Sequence, residues 1–130
     1  MDFKGKVVVI TGASSGIGKA LSYALADRGA KVVMGARHSA KLAEIAGEIL
    51  SRGGEAVFEE TDVTQEAECK RLIDKAVSAF GGIDILICNA GISMRALFDD
   101  VQLDVLRQLM DVNFWGTVYC AKYALPHLQA

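Results

Sequence analysis

Residues Thr11-Gly12-Ala13-Ser14-Ser15-Gly16-Ile17-Gly18 stand between an apolar run, Val7-Val8-Val9-Ile10, and a helix-like stretch from Lys19 to Arg28. A strand, a glycine turn and a helix in that order constrain the fold more than any other feature of the chain. The junction leaves N–H groups unpaired at the helix N-terminus, where the helix dipole adds partial positive charge, so an anion such as a pyrophosphate is attracted there. Gly12 suits a tight turn off the strand, Gly16 a close approach of backbone to a phosphate, and Gly18 close packing of helix on sheet. Ser14 and Ser15 add hydroxyls for N-capping or for phosphate oxygens. The spacing Gly-x-x-x-Gly-x-Gly differs from the commoner Gly-x-Gly-x-x-Gly fingerprint, and from the phosphate loop ending in Gly-Lys-Ser/Thr, because Lys19 is followed by Ala20. A glycine turn without a ligand is the competing reading; the strand before it and the helix after it weigh against that.

The same alternation continues. Lys6–Thr11 reads as a fully buried strand, since its β-branched run leaves no polar face. The first helix places Ile17, Ala20, Leu21, Ala24 and Leu25 on one stripe and stops at Gly29. Lys31–Ala36 is a second strand; Ser39 can cap a second helix with Leu42, Ile45, Ala46 and Ile49 inward, ended by Gly53-Gly54. Glu55–Thr61 is a third strand. Thr64 can cap a third helix, with Glu66 in its first turn and Cys69, Leu72, Ile73, Ala76, Val77 and Phe80 at helical spacing, before Gly81-Gly82 stops it. Ile83–Cys88 is a fourth strand, apolar save Asp84, and a long final helix runs from about Leu103 to about Leu128. Strands alternating with amphipathic helices imply an α/β fold: a doubly wound parallel sheet with right-handed crossovers and helices on both faces.

Composition narrows the function classes. At 130 residues, 52% of them hydrophobic, the chain has the size of one domain and is not disordered. No stretch of about 18 apolar residues lacks a charge, so no membrane span is expected. A net charge of −2 offers no electrostatic reason to bind nucleic acid. Met1-Asp2-Phe3-Lys4-Gly5-Lys6 is too polar and short for a signal peptide. Cys69, Cys88 and Cys120 are scattered and odd in number, without Cys-x-x-Cys, which suits reduced thiols in a cytoplasm; no metal site is expected.

In a nucleotide-binding sheet the adenosine ribose is met at the end of the second strand, where a carboxylate would hydrogen-bond its two hydroxyls. Here that place reads Gly35-Ala36-Arg37-His38. Arg37 offers a guanidinium able to pair bidentately with a 2′-phosphate, which favours NADP over NAD. Arg37 as a solvated loop charge is the alternative, and His38 reads as a bystander. Asp62-Val63 follows the third strand, where a carboxylate can accept from an adenine amino group and an apolar neighbour can cover the ring; Asp62 as part of a helix cap near Thr64 is equally open. Asn89-Ala90-Gly91 leaves the fourth strand at the sheet edge that binds ligands, small enough to admit a ring or ribose, although Asn89 can also tie neighbouring loops. In the final helix Leu106, Met110, Asn113, Thr117, Ala121 and Ala124 form one stripe. Asn113 is then an amide set in an apolar face, either a structural tie or a fixed polar group beside a reaction site.

Together these motifs resemble the short-chain dehydrogenase/reductase family: Thr11–Gly18 as its glycine motif, Asp62 as its adenine contact, Cys88-Asn89-Ala90-Gly91 in place of its Asn-Asn-Ala-Gly, and Asp111-Val112-Asn113. The resemblance covers the whole chain, and Cys88 departs from the family's first Asn. It implies a Rossmann-like sheet with strand order 3-2-1-4 and an NAD(P)-dependent oxidoreductase of alcohols and carbonyls. By resemblance Gly12, Ser14, Ser15, Gly16, Ile17, Gly18, Arg37, Asp62, Val63, Asn89, Ala90 and Gly91 hold the cofactor. Asn113 would be the helix asparagine that supports a proton relay through water. Members commonly pair through the last helix, so a homo-oligomer is expected.

The family's acid/base groups, a Ser on a fifth strand and a Tyr-x-x-x-Lys pair, have no counterpart here: Tyr119 is followed four residues later by Tyr123, and Tyr123 by His127. The expectation is therefore that residues 1–130 are the cofactor-binding part of an NADP-dependent reductase, catalytically incomplete alone. A dinucleotide-binding or interaction module without catalysis is the alternative.

Overall fold

The computed structural model describes residues 1–130. Its elements are β1 (Val7–Thr11), α1 (Gly16–Asp27), β2 (Lys31–Ala36), α2 (Ser39–Ser51), β3 (Glu55–Glu60), α3 (Glu66–Phe80), β4 (Ile85–Ile87) and α4 (Leu103–Met110). A π-helical turn, Asp111–Trp115, joins α4 to α5 (Gly116–Leu128). The strands form one parallel sheet in the order β3-β2-β1-β4, the expected 3-2-1-4. β1 pairs with β2 from Val7–Lys31 to Thr11–Gly35, and β2 with β3 from Lys31–Glu55 to Ala36–Glu60. The pairing of β1 with β4 is shorter, from Val8–Ile85 to Ile10–Ile87.

Successive strand residues point to opposite sheet faces, and both faces are covered. Val8, Ile10, Val32 and Met34 meet Leu25 and Ala26 of α1 and Leu42, Ile45, Ala46 and Ile49 of α2. Val7, Val9 and Val33 meet Leu72, Ile73 and Ala76 of α3 and Ala124 of α5. A strand buried on both sides has no place for an alternating polar row, which is why these strands read as unbroken apolar runs. No helix is long and apolar enough to cross a membrane.

Several local expectations are corrected. α1 begins at Gly16 and buries Gly18, Ser22, Leu25 and Ala26, whereas Ala20 and Ala24 are exposed and Ile17 is 72% exposed. Ser22 can be inward because its hydroxyl donates to the Gly18 carbonyl at 2.8 Å. Ser39 and Thr64 do not cap their helices: His38 and Gln65 hold the N-cap positions, neither with a side-chain cap. β4 is three residues long, not six, because Asp84 replaces a ladder partner: its Oδ2 accepts from Val7 N–H at 2.8 Å while its own N–H donates to the Val7 carbonyl at 2.9 Å. The final helix is interrupted by the π turn and packs through Val112, Gly116, Cys120 and Ala124, so that of the expected stripe only Ala124 is buried. A π turn takes more than four residues, so a row spaced by four stays in line where an α-helix would rotate it away.

Candidate functional site

Beyond the carboxyl ends of the strands lies a cleft of about 420 Å³. Its near wall is the glycine turn. Gly12 has φ +65°, and a Cβ there would stand 2.8 Å from the Cα of Ala90, so the β1 and β4 loops touch backbone to backbone. A Cβ on Gly18 would collide with the Gly12 carbonyl oxygen and lie 2.6 Å from Asn89 Nδ2; the close approach is thus of α1 onto the two loops. Gly16, at φ +56°, has no atom within 4 Å of its Cβ position. The N–H groups of Gly16, Ile17 and Gly18 make no backbone hydrogen bond, and Ser15 at the N-cap makes no side-chain cap. Open space, unpaired donors and a dipole end therefore coincide at the start of α1.

The two loops are held by specific bonds. Asn89 Nδ2 donates to the Gly12 carbonyl at 3.2 Å, and Ala90 N–H to the buried Thr11 hydroxyl at 3.0 Å. Ala13 N–H donates to the Gly35 carbonyl at 3.3 Å, which fixes the glycine turn against the end of β2. Of the two readings of Asn89, the tie is made outright, and the residue also lines the cleft.

The far wall follows β2 and β3. Arg37 and His38 are exposed at the cleft rim, and Arg37 belongs to neither of the two ion pairs, Arg52–Asp27 and Lys70–Asp74. His38, read as a bystander, is a lining residue. Asp62 Oδ1 accepts from Thr64 N–H at 3.0 Å and from the Thr64 hydroxyl at 2.7 Å, which closes a turn ahead of α3 without capping the helix, while Oδ2 has no protein partner. Asp62 N–H in turn donates to Glu68 Oε1 at 3.0 Å. Val63, 8% exposed, makes part of the floor, and a Cβ on Gly116 would lie 2.8 Å from its Cγ2, so α5 supports it directly.

Nine of the expected residues meet in this one cleft: Gly12, Ser14, Ser15, Arg37, Asp62, Val63, Asn89, Ala90 and Gly91. Gly16, Ile17 and Gly18 are not among its lining residues; Gly16 borders an adjoining hollow of about 260 Å³ that shares Ser14 and Ser15 with the cleft. Asn113 also stands outside the lining and is exposed, not set in a buried stripe. Its amide is a tie, accepting from Ile92 N–H at 2.8 Å and donating to the Ile92 carbonyl at 2.7 Å. Gln108 lines the cleft without having been singled out, and Asp111 and Val112, quoted only as neighbours of Asn113, line it where Asn113 does not. Gln108 and Asp111, polar residues three apart ahead of Asn113, were a usable signal.

The short chain dehydrogenase family model matches residues 6–130. An 11-beta-hydroxysteroid dehydrogenase A from Sesamum indicum is 42% identical over 130 residues, covering 98% of this chain and 37% of the relative. An alcohol dehydrogenase from the archaeon Thermococcus sibiricus, solved with 5-hydroxy-NADP, superposes with a TM-score of 0.93 at 32% identity, over 95% of this chain and 53% of that one. A short chain dehydrogenase/reductase from Burkholderia phymatum, solved with NAD, gives a TM-score of 0.94 at 30% identity, over 98% of this chain and 46% of that one. The chain thus spans between about a third and about half of the length of these relatives.

Proposed function

The chain belongs to the short-chain dehydrogenase family, and from that premise we propose that residues 1–130 are the dinucleotide-binding domain of an oxidoreductase that moves hydride between NADP(H) and an alcohol/carbonyl pair. The observation that carries this is the coincidence at the start of α1 of open space beside Gly16 with unpaired N–H groups, adjoining a cleft walled by Arg37, Asp62 and Asn89. That cradle fits a pyrophosphate. When bound, the nicotinamide supplies or accepts the hydride. In this reading the backbone of Gly16, Ile17 and Gly18 and the hydroxyls of Ser14 and Ser15 hold phosphate oxygens, with Gly12 making the turn. Arg37 holds a 2′-phosphate, Asp62 accepts through Oδ2 from the adenine amino group, and Val63 covers the ring. Asn89, Ala90 and Gly91 border the nicotinamide ribose, and Asn113 positions the loop at Ile92 and contributes to a proton relay.

The proton exchanged with the substrate oxygen needs a positioned acid, typically worth about 10²–10⁴-fold in rate. The Ser and Tyr-x-x-x-Lys that the family uses are not among residues 1–130, so this part is proposed to bind nucleotide without turning over substrate. Exposed Leu103, Met110 and Trp115 on the last helical segments support self-association there. The three free cysteines suit a cytoplasmic setting. The name of the sesame relative makes a hydroxysteroid and its ketone the first pair to try with a longer chain carrying Ser and Tyr-x-x-x-Lys.

Calorimetric titration with NADPH and NADH tests the reading. A charged hydrogen bond contributes about 1.5–3 kcal/mol, so Arg37→Asp is expected to weaken NADPH by about tenfold or more and to leave NADH nearly unchanged. Equal affinities for the two nucleotides, insensitive to Arg37→Asp, refute the NADP assignment. Steady NADPH oxidation by residues 1–130 alone with aldehydes or ketones refutes the claim of incompleteness.

A further inference from the structure

Two lysines that the proposed function does not use face one space. The hollow of about 260 Å³ beside the cleft lies between the opening turns of α1 and α2, and Lys19 of α1 and Lys41 of α2 line it. Ser14 and Ser15 belong to the hollow and to the cleft alike, so the two spaces meet at those serines, with Arg37 on the cleft side. Both lysines are exposed, and neither ammonium belongs to an ion pair. The first turn of neither helix carries an acidic residue. Glu44, three residues after Lys41, is the only carboxylate in the lining of the hollow, and the Tyr23 hydroxyl that also faces it is already donated to Glu48 at 2.7 Å. Two lysines against one glutamate leave the hollow net positive.

We propose that Lys19 and Lys41 are further cofactor-binding residues that share the 2′-phosphate of NADP(H) with Arg37; the proposal rests on the NADP(H) reading above. A phosphate monoester carries a charge of about −1.5 to −2 at pH 7 and three acceptor oxygens. Arg37 brings one positive charge and a planar fork that pairs with two of those oxygens. One oxygen and most of one negative charge are left over. An ammonium suits that remainder, because it is a point charge with three donors on a flexible four-carbon stem and needs no fixed approach. An anion seated at Ser14 and Ser15 has Arg37 on its cleft side and the two lysines on its hollow side. Glu44 acts against such an anion. Asp62 and Asp111 line the cleft but not the hollow, so Glu44 is the acidic group that bears on the lysines directly.

The test is calorimetric titration of the wild type, Lys19→Gln, Lys41→Gln, Lys41→Arg and Glu44→Gln with 2′,5′-ADP and 5′-AMP, which differ only in the 2′-phosphate, and with NADPH and NADH. Each Lys→Gln variant is expected to bind 2′,5′-ADP and NADPH about two- to fivefold more weakly, the range of an exposed ion pair, and to bind 5′-AMP and NADH as the wild type does. Lys41→Arg should keep the wild-type affinities. Glu44→Gln should tighten the two 2′-phosphorylated ligands by a similar factor. The gap between wild type and Lys41→Gln should shrink as ionic strength rises from about 0.05 M to about 0.5 M, since an exposed ammonium is screened.

Unchanged 2′,5′-ADP affinity in a Lys→Gln variant, or an equal loss for 5′-AMP, removes that lysine from the site, and the same result at both lysines overturns the inference. A Glu44→Gln protein that binds 2′,5′-ADP no more tightly than the wild type puts the anion outside the hollow and overturns it as well. In either case a selective loss of NADPH in Arg37→Asp leaves the NADP(H) reading standing. A wild type that binds 2′,5′-ADP no more tightly than 5′-AMP overturns both.

Discussion

Gly16 and Gly18 are two residues apart in one motif, yet alanine at each should fail for a different reason. At Gly18 the new methyl meets the Gly12 carbonyl oxygen and the Asn89 amide, neither of which is the free end of a flexible side chain. Overpacking of this kind costs about 1–3 kcal/mol, and the Asn89–Gly12 hydrogen bond that would be forced open contributes about 1 kcal/mol. At Gly16 the methyl meets nothing, and only the left-handed backbone is penalised, by about 1–2 kcal/mol. With an unfolding entropy of about 2.1 cal/mol/K per residue over 130 residues, each kcal/mol is about 4 °C in Tm. Gly18→Ala should therefore melt about 8–16 °C below the wild type, and Gly16→Ala about 4–8 °C below. Nucleotide reverses the ranking of interest. At NADPH of about 100 times Kd the wild type gains about 2.7 kcal/mol, or about 10 °C; a tenfold loss of affinity in Gly16→Ala halves that gain. Thermal denaturation by circular dichroism, with and without NADPH, reads both effects. A Gly18→Ala protein within about 2 °C of wild type refutes the packing argument, and a full nucleotide shift in Gly16→Ala refutes the phosphate approach.

Asp84→Ala leaves the N–H of buried Val7 without its 2.8 Å acceptor, so a loss of about 1–3 kcal/mol is expected, seen as a drop of about 4–12 °C in Tm, with Asp84→Asn intermediate. Tyr23 has its pKa pushed up to about 12 by burial, and next by the hydrogen bond to Glu48; because the unfolded phenol titrates near 10, the neutral form is favoured in the fold. That stability is fully present below about pH 10 and is lost as pH rises to about 12, so Tyr23→Phe should flatten the alkaline stability profile measured by denaturant titration. Light scattering at tens of micromolar should show a dimer or larger species, and Met110→Asp with Trp115→Ser should shift it to monomer.

The strands were legible because buried parallel strands allow only apolar residues, and each glycine stop fell where a helix ended; their order in the sheet came only from the family resemblance. The cleft was legible for the same reason: Arg37 follows directly on β2, Asp62 and Asn89 come two residues after β3 and β4, and strand ends converge in a parallel sheet. What stayed hidden depended on geometry that a uniform repeat cannot express. Asn113 was assigned to a buried face because periodicity assumed 3.6 residues per turn across a segment that winds as a π turn. Ser22 was passed over as polar, although its hydroxyl is satisfied within its own helix. The duty of Asp62 was undecidable from residue chemistry, since one carboxylate has two oxygens and the turn at Thr64 uses only one. Cys69 and Cys120 could not be placed in one cluster from sequence, because no spacing rule relates positions on two different helices.

The unequal pairing of β1 with its two neighbours has a consequence for how the cleft comes apart and together. β2 and β3 are laddered from end to end, whereas β4 is held by a short ladder, the Asp84 exchange with Val7 and the two loop bonds to Thr11 and Gly12. Those last contacts join residues 77 to 79 positions apart, so they are the costliest in chain entropy to close and the cheapest to lose. Opening at β4 is therefore a sub-global event of lower free energy than opening at β2, and it removes the Asn89 wall while leaving the Arg37 wall standing. A ligand spanning both walls acts as the missing cross-link, and its largest effect on hydrogen exchange should fall at residues 85–91, far along the chain from the glycine turn it grips.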